Sequence, residues 1–200
     1  MTQKTVEFFF DVGSPASYLA WTQLPRMAAQ AGATIAYNPM LLGGVFQAAG
    51  NRSPTEVVAK GRYLWQDLER FARRYGVPFS QNPFFPINTL TLMRMATGVQ
   101  MHDESRLTAY GDAAFRAIWA EARNMNDPPV VAKVLEQAGF DPAAMLALAA
   151  QPEVKDRLKA VTQDAVARGV FGAPTFFVDG QMYWGQDRLD FVSEALKTGP

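Results

Sequence analysis

A serine stands where a predicted strand gives way to a predicted helix, in the segment 13–17. Ser14 precedes Pro15, and a serine cap followed by proline at the first helical position is typical of a helix start. The free N–H groups and the positive dipole end of such a helix stabilise an anion, and a hydroxyl there can donate to a thiolate or an oxyanion. The other interpretation is that Ser14 only caps the helix.

A proline opens a predicted core strand in a second segment, 172–175. A strand tolerates proline at its first residue, so a plain strand-entry turn is one interpretation. If the Ala173–Pro174 bond is cis, Ala173 turns its N–H and C=O outward. Those two groups can then pair with an extended, peptide-like ligand as an added strand.

An acidic residue stands in a third segment, 184–189, where another strand is followed by a helix. Asp187 can cap that helix, as lone aspartates often do. It can also bind the ammonium group of a ligand while the helix N-terminus holds a neighbouring carboxylate. The second interpretation suits the head group of an α-amino acid.

Further candidate residues lie in loops in the middle of the chain. Asn51, Arg52 and Lys60 can place polar and cationic groups over a cleft, or belong to a solvated loop and helix start. The apolar loop 84–88 either lines a hydrophobic pocket or packs two subdomains together. His102 stands in a polar stretch, which is typical of a surface or capping residue.

The composition excludes several kinds of chemistry. The 200 residues include no cysteine, so the chain has no disulfide, no Fe–S cluster, no thiolate zinc site and no cysteine nucleophile of its own. The single histidine excludes a multi-histidine metal centre and a two-histidine acid–base mechanism. We therefore expect no metal, and any chemistry must come from a hydroxyl, a carboxylate, a lysine or a borrowed group.

Charge and hydropathy point to a globular protein that binds neither nucleic acid nor membrane. The 19 basic residues balance 19 acidic ones, whereas nucleic acid and anionic membranes call for a basic excess. No apolar run reaches 18 residues, the length that would indicate a membrane span. Glu7 and Asp11 interrupt the first apolar run too early for a secretory signal. We therefore expect a cytoplasmic protein.

The helices and strands that position these candidate residues begin with a predicted β-α-β unit. Apolar patterning predicts strands over residues 5–12 and 34–37 and a helix over 16–31 between them, and the two strands of such a unit normally pair in parallel. Phe9 indicates that both faces of the first strand are partly buried. Pro25 predicts a kink or break in the helix.

Helices and then a hairpin are predicted for the rest of the chain. From residue 46 to residue 168 the patterns predict several helices and no strand. Strands over 175–178 and 181–184 flank a favourable two-residue turn, Asp179 and Gly180, and a helix over 187–197 follows. The predicted class is therefore α/β.

The chain resembles the DsbA-like branch of the thioredoxin superfamily over nearly its whole length, through four stretches in the order 10–20, 50–51 with 60–61, 169–175 and 184–189. More closely, the chain is similar to the 2-hydroxychromene-2-carboxylate isomerases, relatives of the kappa-class glutathione transferases. The resemblance implies a thioredoxin-like fold with an inserted all-helical domain. The implied thioredoxin-like domain is discontinuous, over 1–44 and 160–200, and the helical insertion spans 45–159.

The resemblance also implies a glutathione site in which Ser14 is the catalytic residue and contacts the cofactor's sulfur. Ala173, before a cis proline, would pair with the cysteinyl backbone. The γ-glutamyl end would be held by Trp184, Gly185, Gln186 and Asp187. Position 186 departs from the family pattern, since Asn or Ser is more usual there. Substrate contacts map onto Phe46, Asn51, Arg52, Lys60, Phe85 and Asn88.

The implied activity is glutathione-dependent isomerisation of 2-hydroxychromene-2-carboxylate to trans-o-hydroxybenzylidenepyruvate in aromatic-hydrocarbon catabolism. The implied partners are this small aromatic carboxylate, glutathione and, as is usual among similar proteins, a second copy of the chain. Alternatives are a kappa-type transferase that conjugates electrophiles and a non-catalytic interaction module. Thiol–disulfide oxidoreduction is excluded, because Ser14 and Ser17 occupy the two redox positions.

Overall fold

A four-stranded mixed sheet forms the centre of the protein in the computed structural model, which describes residues 3–197. The inner strand β1 (Thr5–Phe10) pairs in parallel with β2 (Thr34–Pro39). On its other side β1 pairs antiparallel with β3 (Thr175–Val178), which forms a hairpin with the edge strand β4 (Gln181–Trp184). The strand order is therefore β2-β1-β3-β4, and the predicted parallel β-α-β unit is confirmed.

Nine α-helices surround this sheet within residues 3–197. They are α1 (Pro15–Ala31), α2 (Leu42–Ala49), α3 (Val58–Tyr75), α4 (Leu90–His102), α5 (Leu107–Trp119), α6 (Pro128–Gln137), α7 (Pro142–Ala150), α8 (Pro152–Ala167) and α9 (Leu189–Lys197). Short 3-10 helices cover Pro54–Glu56, Glu104–Arg106 and Gln186–Arg188. Helices α2 to α8 all lie between β2 and β3 in the chain, so the α/β fold with a helical insertion is confirmed. No helix of the part described is long and apolar enough to cross a bilayer.

The strand β1 is buried on both faces, as the sequence predicts. Phe8 and Phe10 are fully buried and pack on the side of α1, where the Phe8 ring lies 5.2 Å from that of Phe176. Phe9 points to the other face and packs against Phe177 and Val161 of α8. Each such burial contributes about 1.5–3 kcal/mol, so the end of β1 is a rigid support for the segment that follows it.

Helix α1 begins at Pro15, ends at Gly32 in the left-handed conformation, and is continuous through Pro25. The predicted break at Pro25 is therefore wrong, and the alternative of a kink stays a prediction. Leu24 and Ala28, which are buried on either side of Pro25, hold both parts of the helix against the core. That packing offsets the one helical hydrogen bond that proline removes.

Several boundaries differ from the predicted ones. β1 ends at Phe10 rather than at residue 12, and β2 continues to Pro39. The predicted two-residue turn after β3 is confirmed, with Asp179 and Gly180 both at positive φ. The predicted domain boundary at 159/160 falls inside the single helix α8, and the division into two domains remains a prediction.

Candidate functional site

Two segments that are 159 positions apart meet at Ser14. Its hydroxyl donates to the carbonyl oxygen of Ala173 at 3.0 Å. The hydroxyl oxygen of Ser14 also accepts from the N–H of Ser17 at 3.1 Å, so Ser14 does cap α1. The residue is only 4% exposed. Capping and contact with the second segment are therefore not alternatives, because one hydroxyl performs both.

The third segment joins the same place through the backbone. The Ala173–Pro174 peptide bond is cis, and the carbonyl oxygen of Pro174 accepts from the N–H of Gly185 at 3.0 Å. Gly172 lies flat against Trp184, since a Cβ on that glycine would lie 2.5 Å from the indole nitrogen. The cap of α1, the start of β3 and the end of β4 thus form one continuous surface.

Trp184 presents an exposed indole on this surface. The residue is 47% exposed, and the ring of Phe171 lies 4.9 Å from the indole. The amide of Asn51 donates to the carbonyl oxygen of Phe171 at 2.9 Å. The structure therefore brings one predicted substrate residue, Asn51, to the edge of the predicted cofactor residues.

Asp187 is exposed and lies within the 3-10 helix that precedes α9. Its carboxylate forms an ion pair with Arg188 at 2.7 Å and folds over Gly185, whose φ is 99°. The neighbouring Gln186 is buried, and its carbonyl oxygen accepts from the hydroxyl of Tyr75 at 3.1 Å. Helix α3 therefore packs against this segment, and the Asp187 carboxylate remains on the outside.

The first turn of α1 contains a second buried hydroxyl. The side chain of Ser17 is completely buried, and its oxygen has no hydrogen-bond partner among the described residues. An unsatisfied buried hydroxyl costs about 1–3 kcal/mol. Such an atom beside the Ser14 cap is consistent with a polar site at this helix end.

Aromatic rings form the base of the surface on the helical side. The indole N–H of Trp119 donates to the carbonyl oxygen of Val12 at 2.8 Å, directly before the Ser14 segment. The rings of Trp65 and Phe85 pack against each other and against Trp119 at centroid distances of 5.6–6.1 Å. Phe85 thus packs into the aromatic cluster, whereas Phe84 of the same loop is exposed.

The remaining predicted substrate residues are more dispersed. Phe46 lies half-buried on α2, Lys60 is exposed near the start of α3, and exposed Arg52 pairs with Glu56 at 3.8 Å. Asn88 lines a cavity of about 250 Å³ whose walls come from α4, α6 and α7.

Sequence reasoning missed Asp11 as a site residue. Its carboxylate is fully buried three residues before Ser14, and burial raises the pKa of that carboxyl, although hydrogen bonds from Gly13, Leu42 and Thr89 lower it in part. The available signal was a lone acidic residue between the buried Phe10 and Val12.

A family model described as "DSBA-like thioredoxin domain" matches residues 5–197. The chain is 35% identical over 195 residues to the 2-hydroxychromene-2-carboxylate isomerase of Sphingobium xenophagum, a match that covers 96% of this chain and 98% of that protein. It is 28% identical to glutathione S-transferase kappa 1 of Homo sapiens, with 96% and 91% covered.

The solved structures agree with the sequence comparison. A structure of 2-hydroxychromene-2-carboxylate isomerase superposes with a TM-score of 0.82 at 35% identity. That superposition covers 96% of this chain and 94% of the other.

Proposed function

The chain belongs to the DSBA-like thioredoxin family and, within it, to the 2-hydroxychromene-2-carboxylate isomerases, and on that premise we propose that it is a glutathione-dependent isomerase. Its proposed reaction interconverts 2-hydroxychromene-2-carboxylate and trans-o-hydroxybenzylidenepyruvate in aromatic-hydrocarbon catabolism. We propose further that it acts in the cytoplasm as a homodimer. The observation that carries the proposal is the convergence of Ser14, Ala173 and the 184–187 segment on one surface.

Glutathione fits the residues of this surface group by group. It is a tripeptide with a thiol, an extended backbone and an α-amino-acid head group. Ser14 offers a hydroxyl at a helix N-terminus, Ala173 a backbone edge, and Asp187 an exposed carboxylate. When bound, glutathione supplies a thiolate that adds reversibly to the conjugated alkene, so that the former double bond rotates before elimination restores the thiol.

Ser14 and α1 would keep the thiol ionised. The helix N-terminus favours a negative charge, and a hydroxyl that donates to a thiolate lowers the pKa of the thiol. To donate to sulfur, the Ser14 hydroxyl turns away from the Ala173 carbonyl oxygen that it now contacts. That carbonyl then becomes free to accept the cysteinyl N–H of the cofactor, so no acceptor is left unsatisfied.

The other end of the cofactor would lie along β4 and the turn after it. The indole of Trp184 offers an apolar face beside Gly172, and the Asp187 carboxylate can exchange Arg188 for the ammonium group of the γ-glutamyl end. Both partners of that ion pair are about half exposed, so breaking it costs little.

The substrate would occupy the side of the site towards the helices. The partly exposed rings of Trp65 and Phe85, which pack on the buried Trp119, provide a base for an aromatic ring. As negative charge develops at the pyruvyl end, donors at the rim stabilise it. Asn51 lies beside Phe171 at the edge of the proposed cofactor residues, and the exposed side chains of Arg52 and Lys60 are further candidate donors.

An absorbance assay on 2-hydroxychromene-2-carboxylate, with and without glutathione, tests the proposal. We expect the spectrum to shift towards the open-chain isomer at a rate that requires glutathione, whose total concentration stays constant. The absence of a spectral shift with glutathione present would overturn the proposal. An equal rate of isomerisation without glutathione would exclude it as the cofactor.

A kappa-type transferase is the second candidate, favoured by the similarity to glutathione S-transferase kappa 1. The same thiolate site would serve it, and the difference lies in what happens to the thiol. A transferase consumes one glutathione per electrophile, whereas an isomerase consumes none, so a thiol titration during the assay separates the two. If calorimetry detects no binding of glutathione, both candidates fail.

A further inference from the structure

Asp11 is a fully buried carboxylate at the end of β1. One of its oxygens accepts from the N–H of Gly13 at 2.8 Å. The other accepts from the N–H of Leu42 at 2.9 Å and from the hydroxyl of Thr89 at 3.1 Å. Within residues 3–197, no basic side chain contributes to the electrostatics of this carboxyl, and burial is the dominant influence.

Burial of a carboxylate without a counter-ion lowers the stability of the folded protein, because the charge loses its solvation by water. The three hydrogen-bond donors must compensate for that loss. Hydrogen bonds to a charged group contribute about 1.5–3 kcal/mol each. The three donors come from three different parts of the chain. The carboxylate therefore fixes the relative positions of those parts more tightly than apolar packing alone.

The contact with Leu42 acts as a helix cap supplied from outside the helix. Leu42 is the first residue of α2, and the preceding Leu41 has no side chain that can cap it. A carboxylate at a helix N-terminus interacts favourably with its N–H groups and its dipole. Asp11 thus fixes the start of α2, the helix that carries Phe46 and leads to Asn51.

The contact with Thr89 uses a hydroxyl that does not cap its own helix. Thr89 stands at the N-cap position of α4, where threonine commonly caps its own helix, but its side chain makes no capping bond there. It donates to Asp11 instead, and its methyl group leaves no room for a Cβ on Gly13, which would lie 2.8 Å away. Thr89 directly follows the loop that carries Phe85 and Asn88.

The third contact, from Gly13, lies next to Ser14. The bond from Gly13 fixes the residue before Ser14, and the backbone N–H of Ser14 also donates to the carbonyl oxygen of Asp11 at 3.0 Å. One residue therefore connects the Ser14 segment to α2 and to the start of α4.

We propose that Asp11 is a positioning residue that sets the distance and orientation of the cofactor sulfur relative to the substrate. It joins the Ser14 segment to the two segments that carry the predicted substrate contacts. This proposal rests on the proposed function. A reaction between two bound partners is sensitive to misplacement of about 1 Å, so weakening this link lowers kcat, whereas the affinity for glutathione, which depends on Ala173 and the 184–187 segment, is preserved.

The test uses Thr89→Val, which removes one donor to Asp11 at almost constant side-chain volume. Thr97→Val is the matched control, because Thr97 is a buried threonine within α4 that donates to the carbonyl oxygen of Met93 in its own helix. We expect Thr89→Val to lower kcat about tenfold, which corresponds to about 1.4 kcal/mol in the barrier, with the Kd for glutathione within about twofold of wild type. Thr97→Val should leave kcat unchanged.

Two outcomes overturn the proposal. One is an equal loss of kcat in both threonine variants, which would show a general packing effect. The other is a change in the Kd for glutathione as large as the change in kcat.

Hydrogen exchange gives a readout that does not depend on activity. In Thr89→Val and in Asp11→Asn, which cannot accept from all three donors, the amides of Gly13 and Leu42 should exchange faster together, whereas Thr97→Val should leave both slow. If the wild type shows no isomerase activity, the proposed function fails but this measurement still tests the link. Unchanged exchange at both amides overturns the link itself.

Discussion

The hydroxyl of Ser14 donates to the carbonyl oxygen of Ala173 across 3.0 Å, and this bond joins the first helix to the start of β3. Each of the two groups is one that the proposed reaction needs, the first for the sulfur and the second for the cofactor backbone. Their mutual bond keeps both satisfied until the cofactor arrives. Under the proposed function, glutathione binding would exchange this one hydrogen bond for two.

Removal of the Ser14 hydroxyl should slow isomerisation by well over tenfold with glutathione saturating, because one donor to the reacting anion is typically worth about 10²–10³ in kcat. The variant Ser14→Ala also removes a helix cap, at a cost of about 1 kcal/mol in stability. Asp141→Ala is the control, since Asp141 caps α7 through the N–H groups of Ala143 and Ala144, away from Ser14. Wild-type kcat/KM in Ser14→Ala would contradict the role of the hydroxyl.

Asp187→Ala should raise the KM for glutathione and leave kcat at saturation unchanged. The reason is that the carboxylate is proposed to bind the ammonium group, far from the reacting atoms. Asp190→Ala makes the same charge change three residues later, on the exposed side of α9, and should leave the KM as it is. If the two variants have equal affinity for glutathione, Asp187 does not belong to the site.

A cysteine at position 14 would report the electrostatics of the helix end. The natural chain has no cysteine, so Ser14→Cys carries a single thiol. We expect its pKa to lie below the ordinary value of about 8.5, because the N–H of Ser17 and the dipole of α1 stabilise the thiolate. Ala31→Cys, at the C-terminal residue of α1, places a thiol at the opposite end of the same helix and should show no such lowering. The pH dependence of alkylation gives both values, and equal values would contradict a thiolate-stabilising site.

Asp11 should leave a signature in the pH dependence of stability. Burial raises its pKa in the folded chain above the ordinary 3.8, so between these two values the folded chain holds a proton that the unfolded chain has released. The free energy of unfolding of the wild type, relative to Asp11→Asn, should therefore increase as the pH falls through this window and decrease as it rises. Denaturant titrations of both proteins from pH 7 to pH 4 measure this difference in the free energy of unfolding. A difference that does not change with pH, or that decreases as the pH falls, would show that the pKa of the Asp11 carboxyl is not raised.

Local signals made much of the fold and part of the site predictable. Turn residues such as Asp179 and Gly180 act over two positions, and the hairpin between β3 and β4 lies where they predict it. The segments around Ser14 and Asp187 were predictable for a similar reason, because helix caps and strand–helix junctions depend on residues that are adjacent in the sequence.

The role of Asp11 was not predictable in this way. Its partners Leu42 and Thr89 are distant in the chain, and only the folded structure brings them together. The continuity of α1 through Pro25 is a similar case, since burial of Leu24 and Ala28 on either side of the proline overrides a local rule that the sequence alone suggests.

The pairing of β1 with β3 has a consequence for synthesis of the chain. Val6 pairs with Val178, so the ribosome makes β1 172 positions before its antiparallel partner. At about 5–20 residues per second, β1 waits roughly 10–30 s with its three phenylalanines and one hydrogen-bonding edge incompletely covered. During that interval the nascent protein exposes an aggregation-prone edge that a chaperone can protect, and the proposed glutathione site stays incomplete until β3 and β4 emerge.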